Sequence, residues 1–300
     1  MKTSLTAKGV TWTNIEEPSN DELAAIVREV GLSPVDAEFI VRGDLRPEIT
    51  VRENYILILM YVPVFHKKLR VTSGTALHFL VTSAQLHTLQ YEPIVSLQKI
   101  IKDFSENPEK QEEYFNDDAL SLALYILSQI HNSSFRKIGR LAKHIEIVED
   151  AVFQGNERKM VEEVAILSRD VLDFQKIIRP QVPLFAAMPD QPFDEHIKTQ
   201  WKRISGQISQ MWELLQSLHD SSKELRSTND SLLQHKENEL LRMLSLYSII
   251  TIPIWIFVSP YIPRGADTGV GDVIIFWGVL LFLILFLLAI FVRAKRRKVI

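Results

Sequence analysis

The sequence predicts an α+β cytoplasmic domain, then a long helical stalk, and finally two transmembrane helices. No charged residue occurs from Met243 to Pro263 or from Val273 to Val292. The first third of the chain is rich in short β-branched and aromatic runs, whereas the middle repeats apolar residues three and four apart. A period of two residues is typical of strands and one of 3.6 is typical of helices, so the three patterns separate three parts of the chain.

Residues 1–105 are predicted to form a mixed α/β domain. A helix is expected to begin at Asp21-Glu22-Leu23, because acidic residues favour the positive end of a helix. Strands are expected where β-branched and aromatic residues cluster between polar breaks. They are predicted at residues 10–12, 49–51, 55–65, 69–72, 77–81 and 86–89.

Residues 106–192 are predicted to form a long helical hairpin after a polar start. One apolar stripe runs from Leu120 to Val152 and breaks at Gln154-Gly155-Asn156. A second stripe resumes at Val161 and ends before Pro180. Four prolines between residues 180 and 192 predict a break without a helix interior.

The stalk, residues 193–242, is predicted to be one helix with a coiled-coil seam. Its apolar residues are spaced by three, four or seven from Ile197 to Leu225. There is no proline between Pro192 and Pro253, so the helix is expected to continue into the first apolar segment. The seam turns polar at residues 222, 229, 236 and 239, which favours a wet surface close to the membrane.

Residues 243–263 and 273–292 are each long enough to cross a bilayer core of about 30 Å as a helix. A short external loop, 264–272, joins them, and a basic tail, 293–300, follows. Basic flanks remain in the cytoplasm, so both termini are predicted to be cytoplasmic in a multi-pass membrane protein. The alternative is a hairpin that only tethers the preceding domain to the lipid bilayer.

Composition excludes several classes of function. Residues 1–239 carry a net charge of −8, because the neutral apolar region and the basic tail complete the chain's total of −3. A body of this sign argues against a nucleic-acid partner. The chain has no cysteine, and it contains neither a phosphate-binding glycine loop nor an HExxH motif. An enzyme is therefore not expected.

The order of these parts resembles the CorA family of magnesium and cobalt transporters along nearly the whole chain. The most specific likeness is the run from Asn238 to Ser245, NELLRMLS, with Pro253 nine residues beyond Leu244. The segments WTNIEEP, from Trp12, and RPEI, from Arg46, are also similar to the family. The resemblance implies a homopentamer in the inner cell membrane, with no cofactor, whose first transmembrane helices line a pore for Mg²⁺ or another divalent cation.

Five residues are candidates for the ion pathway, because their spacing of three, three, four and four places them on one helix face. They are Asn238, Leu241, Leu244, Ser248 and Ile252. Rings of Asn238 would offer amide oxygens to a hydrated cation, which suits an ion that gives up water reluctantly. Apolar rings would form constrictions, and Ser248 would be a polar step between them. The alternative is ordinary packing between membrane helices.

The outer mouth departs from the family. The resemblance implies a Gly-Met-Asn motif after the first membrane helix, but its place here holds Ile262-Pro263-Arg264, preceded by Tyr261. A ring of Arg264 would repel divalent cations, and Asp267 and Asp272 would offset that charge.

The departure keeps two alternatives open. One is a membrane-anchored pentameric scaffold or sensor with little conduction, and the other is a pore for Zn²⁺ or an anion. The resemblance also implies an acidic sensing position on the stalk where this chain has Arg203.

Overall fold

The computed structural model describes residues 2–42, 46–66, 70–115, 118–187, 192–258, 271, 274–275, 277–282 and 284–286. The chain divides into two compact units, Met1–Asn229 and Asp230–Ile300.

The first unit is built around a six-stranded sheet with the order β1-β2-β6-β5-β4-β3. The pair β2–β6 is parallel, and the other neighbouring pairs are antiparallel. The strands are Lys2–Ala7 (β1), Val10–Glu16 (β2), Glu48–Val51 (β3), Ile56–His66 (β4), Val71–Val81 (β5) and Gln85–Gln90 (β6).

Eight helices are described, and a π-helical turn at Val152–Asn156 joins α5 to α6. Their bounds are Asn20–Val30 (α1), Pro34–Arg42 (α2), Val95–Glu106 (α3), Pro108–Tyr114 (α4), Ala119–Ala151 (α5), Glu157–Ile178 (α6), Gln181–Ala186 (α7) and Glu195–Val258 (α8).

The sheet is covered on both faces, as strand β4 illustrates. Leu57 and Leu59 are buried in one apolar cluster with residues of α1 and α2. Ile58 and Met60 belong to a second cluster with residues of α3, α5, α6, α7 and α8. Alternate residues of a strand point to opposite faces, so a strand covered on both sides needs a continuous apolar run.

Two strands differ from the sequence prediction. The expected pieces at 69–72 and 77–81 are not separate strands, because Val71–Val81 forms a single strand, β5, that pairs with β4 along its whole length, with Val62 opposite Thr75 and Pro63 opposite Gly74. Strand β1 was not predicted, since Leu5 is its only large apolar residue. It is an edge strand paired with β2, and its residues alternate between exposed and half-buried.

The helical hairpin is present in the structure. Its break falls in the π-helical turn, where Gly155 has a φ of 91°, a conformation that favours glycine over residues with a side chain. His144 of α5 lies opposite Glu163 of α6, with Nε2 and Oε2 3.7 Å apart, so the two helices run antiparallel.

The proline-rich break contains a short helix that the sequence did not predict. Pro180 caps α7 and Pro183 lies in its first turn, where a backbone N–H has no partner inside the helix anyway. Helix α4 likewise forms in the polar segment 106–116, which was expected to be a linker or a helix end, and Pro108 lies in its first turn.

The seam of α8 packs into the larger cluster. Trp201, Ile208 and Leu215 are buried, and the indole Nε1 of Trp201 donates to the Phe185 carbonyl at 3.0 Å. The prediction of a wet polar seam is wrong at Ser222 and Asn229, which are each only 1% exposed. The buried stripe therefore continues to the end of the first unit through small polar side chains.

Candidate ion pathway

The part of α8 from residue 240 onward is largely apolar and exposed. Most of the large apolar side chains described between residues 240 and 256 are exposed in this single chain. The exposed fraction is 57% for Leu240, 65% for Tyr247 and 73% for Trp255. A helix that is apolar around its whole circumference is expected to be covered by lipid or by other chains.

The five predicted pathway residues lie on this continuous helix. Asn238 is exposed, Leu241, Leu244 and Ile252 are 56–61% exposed, and Ser248 is half-buried. At 1.5 Å per residue, the stripe from Asn238 to Ile252 extends along about 21 Å of the axis.

Hydroxyl groups on this segment bond to their own helix. Ser248 Oγ donates to the Leu244 carbonyl at 2.9 Å, and Ser245 Oγ donates to the Leu241 carbonyl at 2.8 Å. Because the donors are used within the helix, each hydroxyl oxygen keeps a lone pair that an ion or another chain can use.

Sequence reasoning missed Ser245 as a pathway candidate. It follows Asn238 by seven residues, which is close to two full helical turns and keeps it nearer to the line of Asn238 than Leu244 is. The signal that finds it is the i, i+7 spacing.

The helix continues through Pro253 without ending. Proline has no backbone N–H, so the carbonyl of Ile249 loses its usual partner one turn earlier. The Ile249 carbonyl oxygen is therefore a further polar group near the apolar stripe, one turn before Pro253.

Charged side chains surround Asn238. His235 Nε2 lies 3.5 Å from Glu239 Oε1, one helical turn apart. Glu237 and Glu239 flank the asparagine directly in sequence, and Lys236 and Arg242 lie nearby on the same helix, so the charges of residues 236–242 balance.

The four predicted mouth residues, Tyr261, Arg264, Asp267 and Asp272, lie outside the described residues, as does the basic tail. In the second apolar segment, residues 277–282 and 284–286 are helical, and the rings of Phe282 and Phe286 stack with centroids 6.3 Å apart.

Within the described part of the chain, no helix combines the length and the apolar character required to span a membrane.

Protein ligands for a dehydrated metal ion are not grouped in the described residues, where no set of three or more His, Asp or Glu side chains is placed to hold one. Arg203, Glu213 and Asp220 of the stalk are all exposed.

The architecture is that of an α+β protein. Helices cover both faces of its sheet, and a helix of 64 residues ends in an exposed apolar segment. The chain belongs to the CorA-like Mg²⁺ transporter protein family, whose model matches residues 7–296. Members of this family are transporters in which the metal ion is the substrate, and the chain is not an enzyme.

Two curated relatives carry the name cobalt/magnesium transport protein CorA. The protein from Methanocaldococcus jannaschii is 22% identical over 257 residues, covering 82% of this chain and 77% of the relative. The protein from Thermotoga maritima is 19% identical over 261 residues, covering 84% and 72%.

The fold is also that of a solved transporter. The complete structure of the CorA magnesium transporter from M. jannaschii aligns with a TM-score of 0.78 at 18% identity, and it covers 97% of this chain and 93% of that one.

Proposed function

We propose that this protein is a homopentameric channel or transporter for a divalent cation such as Mg²⁺ or Co²⁺, with α8 lining the pore. The single observation that carries the proposal is the stripe from Asn238 to Ile252, which is exposed or half-buried in one chain and regular in its spacing. Family membership and the names of the curated relatives support the choice of ion.

The proposed membrane hairpin comprises residues 243–263 and 273–292. Its support is the lack of charge in both segments and the exposure of the apolar side chains of α8. The basic residues after Val292 orient it with both termini in the cytoplasm of the cell membrane.

Five copies of α8 around an axis would stack the stripe into rings. The Asn238 ring would accept hydrogen bonds from the water shell of an entering cation. The Leu241, Leu244 and Ile252 rings would be apolar constrictions that close by excluding water. Ser245 and Ser248 would supply hydroxyl oxygens between them.

The outer mouth favours a second candidate function. With Ile262-Pro263-Arg264 in place of Gly-Met-Asn, the ring expected to select hydrated cations is basic. A membrane-anchored scaffold or sensor with little conduction, or a pore for Zn²⁺ or an anion, is consistent with that charge.

The test is flux into proteoliposomes that contain the purified pentamer. Mg²⁺, Co²⁺, Ni²⁺ and Zn²⁺ are each supplied outside under an inside-negative potential, with chloride flux measured in parallel. Uptake of Mg²⁺ or Co²⁺ is expected. Uptake of Zn²⁺ or chloride alone would reassign the ion, and no flux of any kind from intact pentamers would favour the scaffold.

A further inference from the structure

The first unit contains a cavity of about 560 Å³ that is distant in sequence from the proposed pathway. It lies between the end of β4, the start of β5, the start of α3, and the facing sides of α5 and α6. This volume falls within the range of small-molecule sites in proteins.

The lining of the cavity is basic although the surrounding body is acidic. Lys99 of α3 and Lys137 and Arg140 of α5 contribute three cations, and Asp170 is the only carboxylate among the lining residues. Among the described residues, none of the three cations has a carboxylate partner within salt-bridge distance. The Asp170 carboxylate accepts the Thr72 N–H at 2.9 Å, so it is already engaged by β5.

A fourth cation in the lining, Arg70, forms an ion pair with Glu163. Its guanidinium donates to both carboxylate oxygens of Glu163 at 2.9 and 2.7 Å. This pair ties the residue just before β5 to α6.

Lys137 is the cation held most firmly. It is half-buried, and Nζ donates to the Pro63 carbonyl of β4, which orients the ammonium beside the cavity. Burial lowers the pKa of Lys137, and the charge of Arg140 adds to that effect. An anion placed beside this ammonium would relieve both penalties.

The start of α3 adds unused donors. Helix α3 begins at Val95, and no side chain caps its first turn. Val95 and Ser96 both line the cavity. The free N–H groups and positive end of a helix favour phosphate oxygens, which strengthens the preference that the lysines set.

One side of the cavity is apolar. Phe65 and Val95, which are 45% and 60% exposed, line it together with the buried side chains of Leu141 and Leu167. An exposed aromatic ring beside a basic cluster suits a ligand with a planar or apolar group as well as an anionic one.

We propose that this cavity binds a small phosphorylated molecule that carries an aromatic or apolar group, with a nucleoside diphosphate as the representative ligand. The phosphates contact Lys99, Lys137 and Arg140 at the start of α3, and the ring packs against Phe65. The site is independent of the ion pathway, so it survives if the transport proposal fails.

The test is isothermal titration of the full-length chain in detergent, with EDTA present so that no divalent cation contributes. Pyrophosphate, ADP and adenosine are the probes. ADP is expected to bind at least tenfold more tightly than pyrophosphate, and adenosine is expected to bind weakly. Equal affinity for ADP and pyrophosphate would overturn the apolar half of the assignment, and no binding of either would overturn the site.

Two exposed cations provide variants that leave the core intact. Lys99→Gln and Arg140→Gln are each expected to weaken ADP binding about tenfold, and Lys137→Gln more. The matched controls are Lys102→Gln on α3 and Lys143→Gln on α5, which are outside the lining and are expected to bind as the unchanged protein does. Equal losses in variants and controls would show that only general charge matters and would overturn the site.

Discussion

Arg52 holds the buried carboxylate of Asp36 with two hydrogen bonds. Its Nε and Nη2 donate to Oδ2 and Oδ1 at 2.9 and 3.0 Å, and the Tyr55 hydroxyl adds a third bond to Oδ2 at 2.6 Å. Asp36 is 1% exposed and lies in α2, whereas Arg52 follows β3. The pair therefore fastens the α1–α2 layer to the β3–β4 edge of the sheet.

Replacing Arg52 with methionine is expected to lower the free energy of unfolding by more than the loss of an exposed surface ion pair would, because a buried carboxylate loses its ion-pair partner. The Tyr55 hydroxyl still donates to Asp36 in this variant, which limits the loss of stability. Urea denaturation of the full chain at pH 7, followed by tryptophan fluorescence, measures the change. Glu48→Gln, at a nearby half-buried carboxylate of β3, is the control and is expected to change little. A loss below 0.5 kcal/mol, on the scale of a surface pair, would contradict the assignment.

The same carboxylate gives the fold a dependence on pH. The hydrogen bonds from Arg52 lower the pKa of Asp36 to about 2 from its usual 3.8. A group with a depressed pKa stabilises the fold above its unfolded pKa, and that contribution is lost as pH falls through the folded value. Unchanged protein is thus expected to lose stability between about pH 4 and 2, whereas Asp36→Asn is expected to lack that component.

His131 makes the fold sensitive to a higher pH range. It is 2% exposed on α5, and within the described structure neither ring nitrogen has a hydrogen-bond partner. Burial lowers the pKa of His131 to about 3 from 6.5, so the native state keeps the ring neutral. Unfolding allows protonation below pH 6.5, which destabilises the fold by about 2 kcal/mol at pH 5.

His131→Leu is expected to remove most of that pH 5 loss while remaining at least as stable as the unchanged protein at pH 7. Leucine has a similar volume and leaves no unsatisfied polar atom against Phe185. Urea denaturation at pH 7 and pH 5 provides the comparison. If the variant lost the same stability between the two pH values as the unchanged protein, His131 would not be the group responsible.

Helix α6 approaches the sheet closely at Gly74 of β5. A Cβ added there would lie 3.1 Å from Ile177 Cγ1. Gly74→Val is expected to cost about 1–3 kcal/mol through overpacking, and Ile177→Val is expected to recover part of that cost. The control is Gly139→Ala in α5, where no atom lies within 4 Å and the change is expected to stabilise the helix by about 1 kcal/mol. Full stability in Gly74→Val would mean that α6 moves away freely.

The sequence predicted those elements whose own residues carry a clear hydrophobic pattern. The run ILILMYV predicts β4 because both faces of that strand are covered. The stretch SGTA of β5, residues 73–76, was missed because small and polar residues carry little hydrophobic signal, and their pairing with β4 is what makes them a strand. Strand pairing is a long-range contact, so local composition reports it poorly.

The two candidate sites, the stripe on α8 and the basic cavity, also differ in whether the sequence predicts them. The stripe from Asn238 to Ile252 lies on one helix, so its spacing is visible in the sequence. The basic cavity takes residues from β4, β5, α3, α5 and α6, and no local spacing joins them. Only the folded chain places Lys99 and Lys137 in the lining of the same cavity.

Asn238→Leu is expected to reduce cation flux at least 100-fold, because an apolar side chain leaves the water shell of the entering ion without acceptors. Asn238→Asp is expected to retain flux, since the carboxylate still accepts hydrogen bonds. Met243→Ala is the control, because Met243 lies about 140° around the helix from Asn238. Proteoliposome uptake with matched amounts of pentamer measures all three. Unchanged flux in Asn238→Leu would remove this residue from the pathway.

Arg264→Asn is expected to raise divalent flux severalfold or more. A guanidinium group that lies about 8 Å from a divalent ion costs it roughly 1 kcal/mol in water, before screening by salt, and a pentamer would contain five such groups. Asp267 and Asp272 offset part of that cost, so the gain is expected to be larger at low ionic strength. Arg264→Lys keeps the charge and is expected to leave flux unchanged, which separates charge from side-chain size. A fall in flux in Arg264→Asn, or an equal rise in Arg264→Lys, would show that the ring at this position is not an electrostatic barrier to cations.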